Sequence, residues 1–217
     1  MIKITVDQLK QILSSGSYVA AEDLSKIRVI SNFHTFIEQL LSNQFISKSL
    51  LGQAIAEYYK IDYLDLAAVL PEHDQILKLP EELAKKYYAI LVKEDSKTIT
   101  ITTDNPEQPK LVDELKKLFD NKKIILNFSL TEDIENLFVN YLKPLETRFA
   151  KIIESKNHIA PEIFDEILVD AVAYKASDIH IEPHASEVIV RFRIDGVLHE
   201  AGRIPKEYYE NILNRIK

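Results

Sequence analysis

The stretch Val188-Ile-Val-Arg-Phe-Arg-Ile-Asp-Gly-Val-Leu-His-Glu200 decides how the C-terminal part of this chain reads. Side chains alternate across a strand, so Val190, Phe192 and Ile194 share one face while Arg191 and Arg193 project from the other. Asp195-Gly196 is the strongest hairpin signal in the chain, since a tight primed turn needs residues that tolerate positive φ, and Val197-Leu-His-Glu200 is the returning strand. Upstream, Asp178-Ile-His-Ile-Glu182 is a further strand. Before it, Ile163, Ile167, Leu168, Ala171 and Val172 recur at helical spacing from a start at Pro161. Downstream, Ile204 to Lys217 starts a helix and stops with no C-capping Gly or polar tail, so this α/β unit reads as truncated at its C-terminus.

The middle of the chain has strand periodicity too. Tyr88-Ala-Ile-Leu-Val92 and Thr98-Ile-Thr-Ile-Thr-Thr103 flank the turn Glu94 to Lys97, with Thr98, Thr100 and Thr102 alternating against Ile99 and Ile101. Asp104-Asn105-Pro106 stops the second strand, and Leu111, Leu115 and Leu118 mark a helix. Lys123 to Phe128 is a third strand, and Ser129 with Glu132 is expected to cap a helix through about Leu142. The order is β-β-α-β-α, a small two-layer unit.

Residues 5–60 read as helical. Thr5 with Gln8 forms a capping box before Leu9, Ile12 and Leu13; a second stripe runs Phe33, Phe36, Ile37, Leu40, Leu41, and a third follows a start at Ser47. The region repeats weakly: Leu9 to Ser14 matches Ile37 to Ser42, and Tyr18-Val19 matches Phe45-Ile46 once a one-residue gap is allowed. The fold class is therefore α+β: a helical module over 1–61, a small α/β unit over 62–142, a linker over 143–160 containing Pro144 and the polar run Glu154 to His158, and a second α/β unit over 161–217.

Composition removes whole classes of function. The 217 residues include no Cys, which excludes disulfide scaffolds, Cys-based metal sites and cysteine nucleophiles. With 27 Lys+Arg against 34 Asp+Glu, the net charge of −7 argues against nucleic acid as the main partner. No apolar run is long enough to span a bilayer, and the start lacks a signal-peptide layout. Only Gly16, Gly52, Gly196 and Gly202 exist, and none has the spacing of a GxxxxGK[ST] or GxGxxG phosphate loop, so no ATP turnover through a P-loop is expected of this chain. GxSxG is absent as well.

Arginine is the residue that points to a ligand. Four of the six, Arg191, Arg193, Arg203 and Arg215, fall near the C-terminal end, where their forked donors suit carboxylate or phosphate better than Lys does. A solvated face paired with Asp178, Glu182 or Glu187 and a face aimed at phosphates supplied from outside the chain both fit this pattern. Asp178-x-His180-x-Glu182, with His184 nearby, puts three metal-ligand types on one strand face; lacking an HExxH helix or a second cluster, it reads as a hydrogen-bonding network, and no metal is expected. His34, His73, His158 and His199 form no cluster.

Lys175-Ala-Ser-Asp-Ile-His-Ile-Glu-Pro183 followed by Val190 to Glu200 closely resembles the secretion ATPase superfamily, specifically the assembly ATPases of type II secretion and type IV pili. The helix ending at Lys175 and the closing Leu213 to Lys217 extend the match. Residues 62–142 resemble the family's first N-terminal domain through Leu79-Pro80, Ala84, Tyr87 and Asp104-Asn-Pro106. The resemblance implies the regulatory and docking N-terminal portion of a hexameric, cytoplasmic motor at the inner membrane, whose ATP and Mg belong to a core absent from this chain. It implies Arg191, Arg193 and Arg215 as phosphate contacts delivered by domain closure, in the manner of arginine fingers. The partners implied are inner-membrane platform proteins and further copies of the motor, without nucleic acid and without membrane insertion.

The helical repeat resembles the paired motif, approximately RLGxxLVxxGxI, with which some family members bind cyclic-di-GMP. The first copy keeps Ile12, Leu13 and Gly16, but Asp7, Gln8 and Leu9 occupy the RLG positions; in the second, Thr35, Phe36 and Ile37 occupy them and Gln44 replaces the glycine. The apolar frame survives without the guanine- or phosphate-facing arginine, so a structural helical module is expected. Cyclic-di-GMP sensing and a stand-alone adaptor of the secretion platform are the alternative functions.

Overall fold

The computed structural model describes residues 4–27, 32–143, 145–155 and 159–217, so Pro144 and the Lys156 to His158 part of the expected linker lie outside the described residues. Helices and strands are mixed, with two sheets, as the alternating periods require. The chain divides into unit 1, Met1–Asn140, and unit 2, Tyr141–Lys217.

Unit 1 opens with four helices, α1 (Val6–Ser15), α2 (Ala21–Lys26), α3 (Phe33–Ser42) and α4 (Lys48–Tyr59). Both halves of the Thr5/Gln8 capping box form, and the Ser47 hydroxyl accepts from the Leu50 amide at 3.3 Å. The repeat is real, but its register differs by one residue from the sequence match. Thr5 and Asn32 are equivalent N-caps, Gly16 and Asn43 equivalent C-caps, and Ser17 and Gln44 both adopt φ of 57°. That constant spacing of 27 pairs Leu9 with Phe36, Leu13 with Leu40 and Val19 with Ile46, all buried, with no gap. The likeness between the runs Leu9 to Ser14 and Ile37 to Ser42 rests on identical letters at Gln39, Leu41 and Ser42, while the burial that Leu9 shows belongs to Phe36 rather than to the partly buried Ile37. Asn43, rather than Gln44, therefore stands at the place of Gly16, and Gly16 itself has an ordinary φ of −79°.

After the helices come β1 (Asp62–Tyr63), α5 (His73–Leu77), α6 (Glu81–Tyr87), β2 (Ala89–Glu94), β3 (Thr98–Thr103), α7 (Leu111–Leu118), β4 (Lys123–Phe128) and α8 (Thr131–Leu137). The sheet order is β1-β4-β3-β2, with β1, β4 and β3 parallel and β2 antiparallel at the edge. The short β1 escapes the periodicity reading because two residues show no period. One close approach ties it to the helices: a Cβ on Gly52 of α4 would lie 2.2 Å from the Tyr63 ring, whose hydroxyl burial and the neighbouring Asp65 and Asp133 push up to about 12.

Ser129 does not cap α8. Leu130 is the N-cap residue, without a side-chain bond, while the buried Ser129 hydroxyl meets Leu64 O and Thr102 Oγ1, each at 2.6 Å. A buried hydroxyl between two strand ends is better satisfied there than at an exposed helix start. The helix also stops at Leu137, and a 3-10 turn covers Phe138–Tyr141. Lys48 at the start of α4 bonds Asp133 at 2.7 Å and Glu132 at 3.3 Å. Burial is the largest single influence and works against the ammonium, but the hydrogen bonds and charges of Asp133 and Glu132 together outweigh it and raise its pKa.

Unit 2 contains α9 (Leu145–Ser155), α10 (Ile159–Ala173), β5 (Asp178–Pro183), β6 (Glu187–Ile194), β7 (Val197–Pro205) and α11 (Tyr209–Ile216). The stretch expected as a linker, 143–160, holds all of α9, because Leu145 and Phe149 lie one turn apart and both bury in the core of this unit. Helix α10 begins two residues before Pro161, which a first helical turn tolerates. Of the stripe read on it, Ile163, Ile167 and Ala171 are buried, whereas Leu168 and Val172 face solvent. Strand β7 runs through Pro205, beyond the Glu200 expected, so α11 starts later than Ile204.

Candidate functional site

The strands β5, β6 and β7 form an antiparallel sheet in that order. Val188, Val190, Phe192 and Ile204 point into the core with Ile163, Ile167 and Ile212 of the helices, so the helices cover that face. The opposite face carries Asp178, His180 and Glu182 from β5, Arg191 and Arg193 from β6, and Glu200 and Arg203 from β7.

Register decides which of these meet. Asp178 lies opposite Arg193, His180 opposite Arg191, and on the other side Glu200 opposite Arg191. The last pairing depends on a bulge between Val190 and Arg191, which leaves Ala201 over and turns Glu200 toward the arginine. Arg193 Nε donates to Asp178 Oδ2 at 3.1 Å, its Nη1 to Gly196 O at 3.1 Å, and its Nη2 lies 3.5 Å from His180 Nε2. Arg191 Nη1 donates to Glu182 Oε2. Arg203 donates to Glu200 at 2.7 Å and to Glu187 at 2.6 Å. The Arg203 guanidinium holds the Glu200 carboxyl below its usual value, and Glu200 raises Arg203 in turn.

Arg215 lies elsewhere. It sits on α11, in the layer that packs against the other side of the sheet, with Nη2 3.8 Å from Asp165 of α10. The Asp-x-His-x-Glu side chains are engaged with arginines, and among the described residues no three His, Cys, Asp or Glu side chains gather as a metal site.

Two polar clusters were not legible in the sequence. Arg148 of α9 bonds both Glu166 and Asp170 of α10, and burial keeps the Asp170 carboxyl above its usual value despite the guanidinium. In unit 1, Thr102, Thr103, Asp104, Asn105 and Ser129 are all buried around the C-terminal ends of β3 and β4. The Thr103 hydroxyl donates to Tyr87 O at 3.0 Å and the Thr131 hydroxyl to Asp104 Oδ2 at 2.9 Å. These bonds join the end of β3 and the residue after it to the end of α6 and the start of α8, a structural use of polarity. An apolar hollow of about 430 Å³ between α3 and α8 is walled by Phe33, Ile37, Leu41 and Leu130, with Lys48 at its rim already bound to Asp133 and Glu132.

Two family models match consecutive stretches of the chain. Residues 59–147 match the MshEN domain and residues 153–217 match the Type II/IV secretion system protein family. The type IV pilus assembly ATPase PilB of Myxococcus xanthus is 27% identical over 199 residues, covering 82% of this chain and 35% of that protein. Type II secretion system protein E of Dickeya dadantii is 26% identical over 163 residues, covering 64% of this chain and 33% of that protein. The chain thus spans about a third of the length of these relatives. A solved structure of MshE with cdg aligns at a TM-score of 0.44 and 17% identity, covering 62% of this chain and 98% of that one. The two consecutive domain matches and these relatives support an N-terminal region of a secretion or pilus assembly ATPase.

Proposed function

We propose that this chain is the regulatory and docking portion of a hexameric motor that powers pilus assembly or type II secretion, its second unit closing on ATP and Mg held by a core outside the chain. The observation that carries this reading is the pair Arg191 and Arg193 on one open sheet face, within the segment matched to the secretion family. Guanidinium forks carried on a rigid strand are suited to charge that develops on a transferring phosphoryl group, because their orientation is set before the reaction begins. Arg215, on the helical side of the sheet, is a phosphate contact from a different edge of the same unit. The first unit docks on the cytoplasmic face of an inner-membrane platform protein.

In the full-length protein, Arg191→Ala and Arg193→Ala should each lower kcat for ATP hydrolysis by on the order of 10³ if they act as arginine fingers. Circular dichroism of each variant checks that the unit still folds. An unchanged kcat in both, with the fold intact, overturns the proposal.

A further inference from the structure

On the open face of unit 2, both strand-borne arginines that the proposed function assigns to phosphate are held by carboxylates. Arg193 has all three guanidinium nitrogens engaged, by Asp178, by the carbonyl of Gly196 in the hairpin turn, and by His180. Arg191 is bound to Glu182, which lies diagonally across the β5–β6 ladder. These carboxylates come from β5, two strand positions on either side of His180, so the spacing Asp178-x-His180-x-Glu182 places one acceptor beside each arginine. Arg203 of β7 is held likewise, by Glu200 of its own strand and by Glu187 of β6.

We propose that Asp178 and Glu182 form a carboxylate latch that holds Arg193 and Arg191 along the sheet and that phosphate displaces on binding. The inference rests on the phosphate-contact reading of these arginines. Carboxylate and phosphate oxygens compete for the same N–H fork, so the two pairings exclude each other at any one guanidinium nitrogen. The pairs are partly exposed, with side-chain exposures of 31% and 36% for the arginines and 34% and 54% for the acids. Ion pairs of that kind are weak in water and yield to a more highly charged anion. The latch therefore serves as a positioning device with a threshold: it aligns the guanidinium groups and keeps monovalent anions off them, while a polyphosphate pulls them free. His180, between the two pairs, lies within reach of Arg193 in the latched state.

The test is titration of the 217-residue chain with inorganic tripolyphosphate, read by calorimetry. Asp178→Asn together with Glu182→Gln keeps hydrogen-bond acceptors while removing both charges, and should bind at least ten-fold more tightly than the unaltered chain. Adding Arg191→Ala and Arg193→Ala should remove the gain. If the acid variant binds no more tightly while the arginine variant weakens the unaltered chain, the latch is wrong and the phosphate-contact reading stands. If no variant responds to loss of the arginines, the phosphate-contact reading fails and takes the latch with it. A measurement on the unaltered chain guards against a misfolded variant. The side-chain carboxyl carbon resonances of Asp178 and Glu182 should shift in step with the guanidinium Nε resonances of Arg191 and Arg193, and guanidinium shifts without carboxyl shifts overturn the latch.

Discussion

Gly52 shows how a single position can set the packing of a module. It lies on the buried side of α4, and its missing side chain is the space that the Tyr63 ring occupies. Gly52→Ala drives a methyl into backbone-anchored aromatic carbon, an overpacking that typically costs about 1–3 kcal/mol. Urea denaturation followed by far-UV circular dichroism should show that loss; an unchanged midpoint would mean that Tyr63 swings away freely. Glu94 offers a charge counterpart on the sheet edge, taken by Lys122 at 2.6 Å and Lys78 at 2.8 Å. Lys122 first, then Lys78, lowers the Glu94 carboxyl below its ordinary value of 4.5. A depressed folded pKa contributes stability that is present above the unfolded value and is lost as pH falls through the folded one. The melting difference between the unaltered chain and Glu94→Gln should therefore be constant from about pH 6 to 8 and shrink as pH falls below the unfolded value of about 4.5 and through the lower folded one; a difference that does not shrink in acid would contradict the assignment.

At the scale of elements, the β6–β7 hairpin carries most of the argument about function. Its turn puts Asp195 at φ of 49° and Gly196 at φ of 82°, the left-handed region in which a side chain is disfavoured. Gly196→Ala has open space around its new methyl, so its cost is conformational and about 1 kcal/mol. Because Gly196 O also accepts from Arg193, a distorted turn should shift the Arg193 Nε resonance as well, and a variant that loses stability without that shift would separate turn strain from arginine positioning. The strands and their faces were readable here, since a period of two needs only neighbouring residues. The bulge that sets Glu200 against Arg191 was not readable, because it depends on how β7 accommodates one extra residue against β6. The helical repeat was visible as a repeat and misaligned by one residue, since letter identity at Gln39, Leu41 and Ser42 competed with burial at Phe36 and Leu40.

At the scale of the whole molecule, two clusters of buried side chains, one in each unit, stand out among the described residues. Phe36 anchors the first with Leu9, Leu13, Leu40 and Ile55, and Phe192 anchors the second with Phe149, Val190 and Ile167. Truncating a buried Phe to Ala typically costs about 3–5 kcal/mol. Phe36→Ala should lower hydrogen-exchange protection across α1, α3 and α4 while β6 keeps its protection, and Phe192→Ala should do the reverse. Loss of protection throughout the chain from either variant would show that the two cores unfold as one.

The amino-acid sequence by itself determined whatever depends on a few adjacent residues: the Thr5/Gln8 capping box, the start of α4 at Ser47, the turn at Asp195-Gly196, and the shared face of Arg191 and Arg193. Helix capping, turn conformation and strand alternation are short-range properties, and their energies are spent within one turn or one pleat. Tertiary structure alone decided where Ser129 spends its hydroxyl, that α9 forms around Leu145 and Phe149, that Arg148 reaches Asp170, and that each sheet-face arginine ends on a carboxylate. Ser129 and Arg148 each have a distant partner whose burial makes leaving it unpaired the costlier choice, whereas α9 forms to bury Leu145 and Phe149 and the sheet-face pairs follow from strand register.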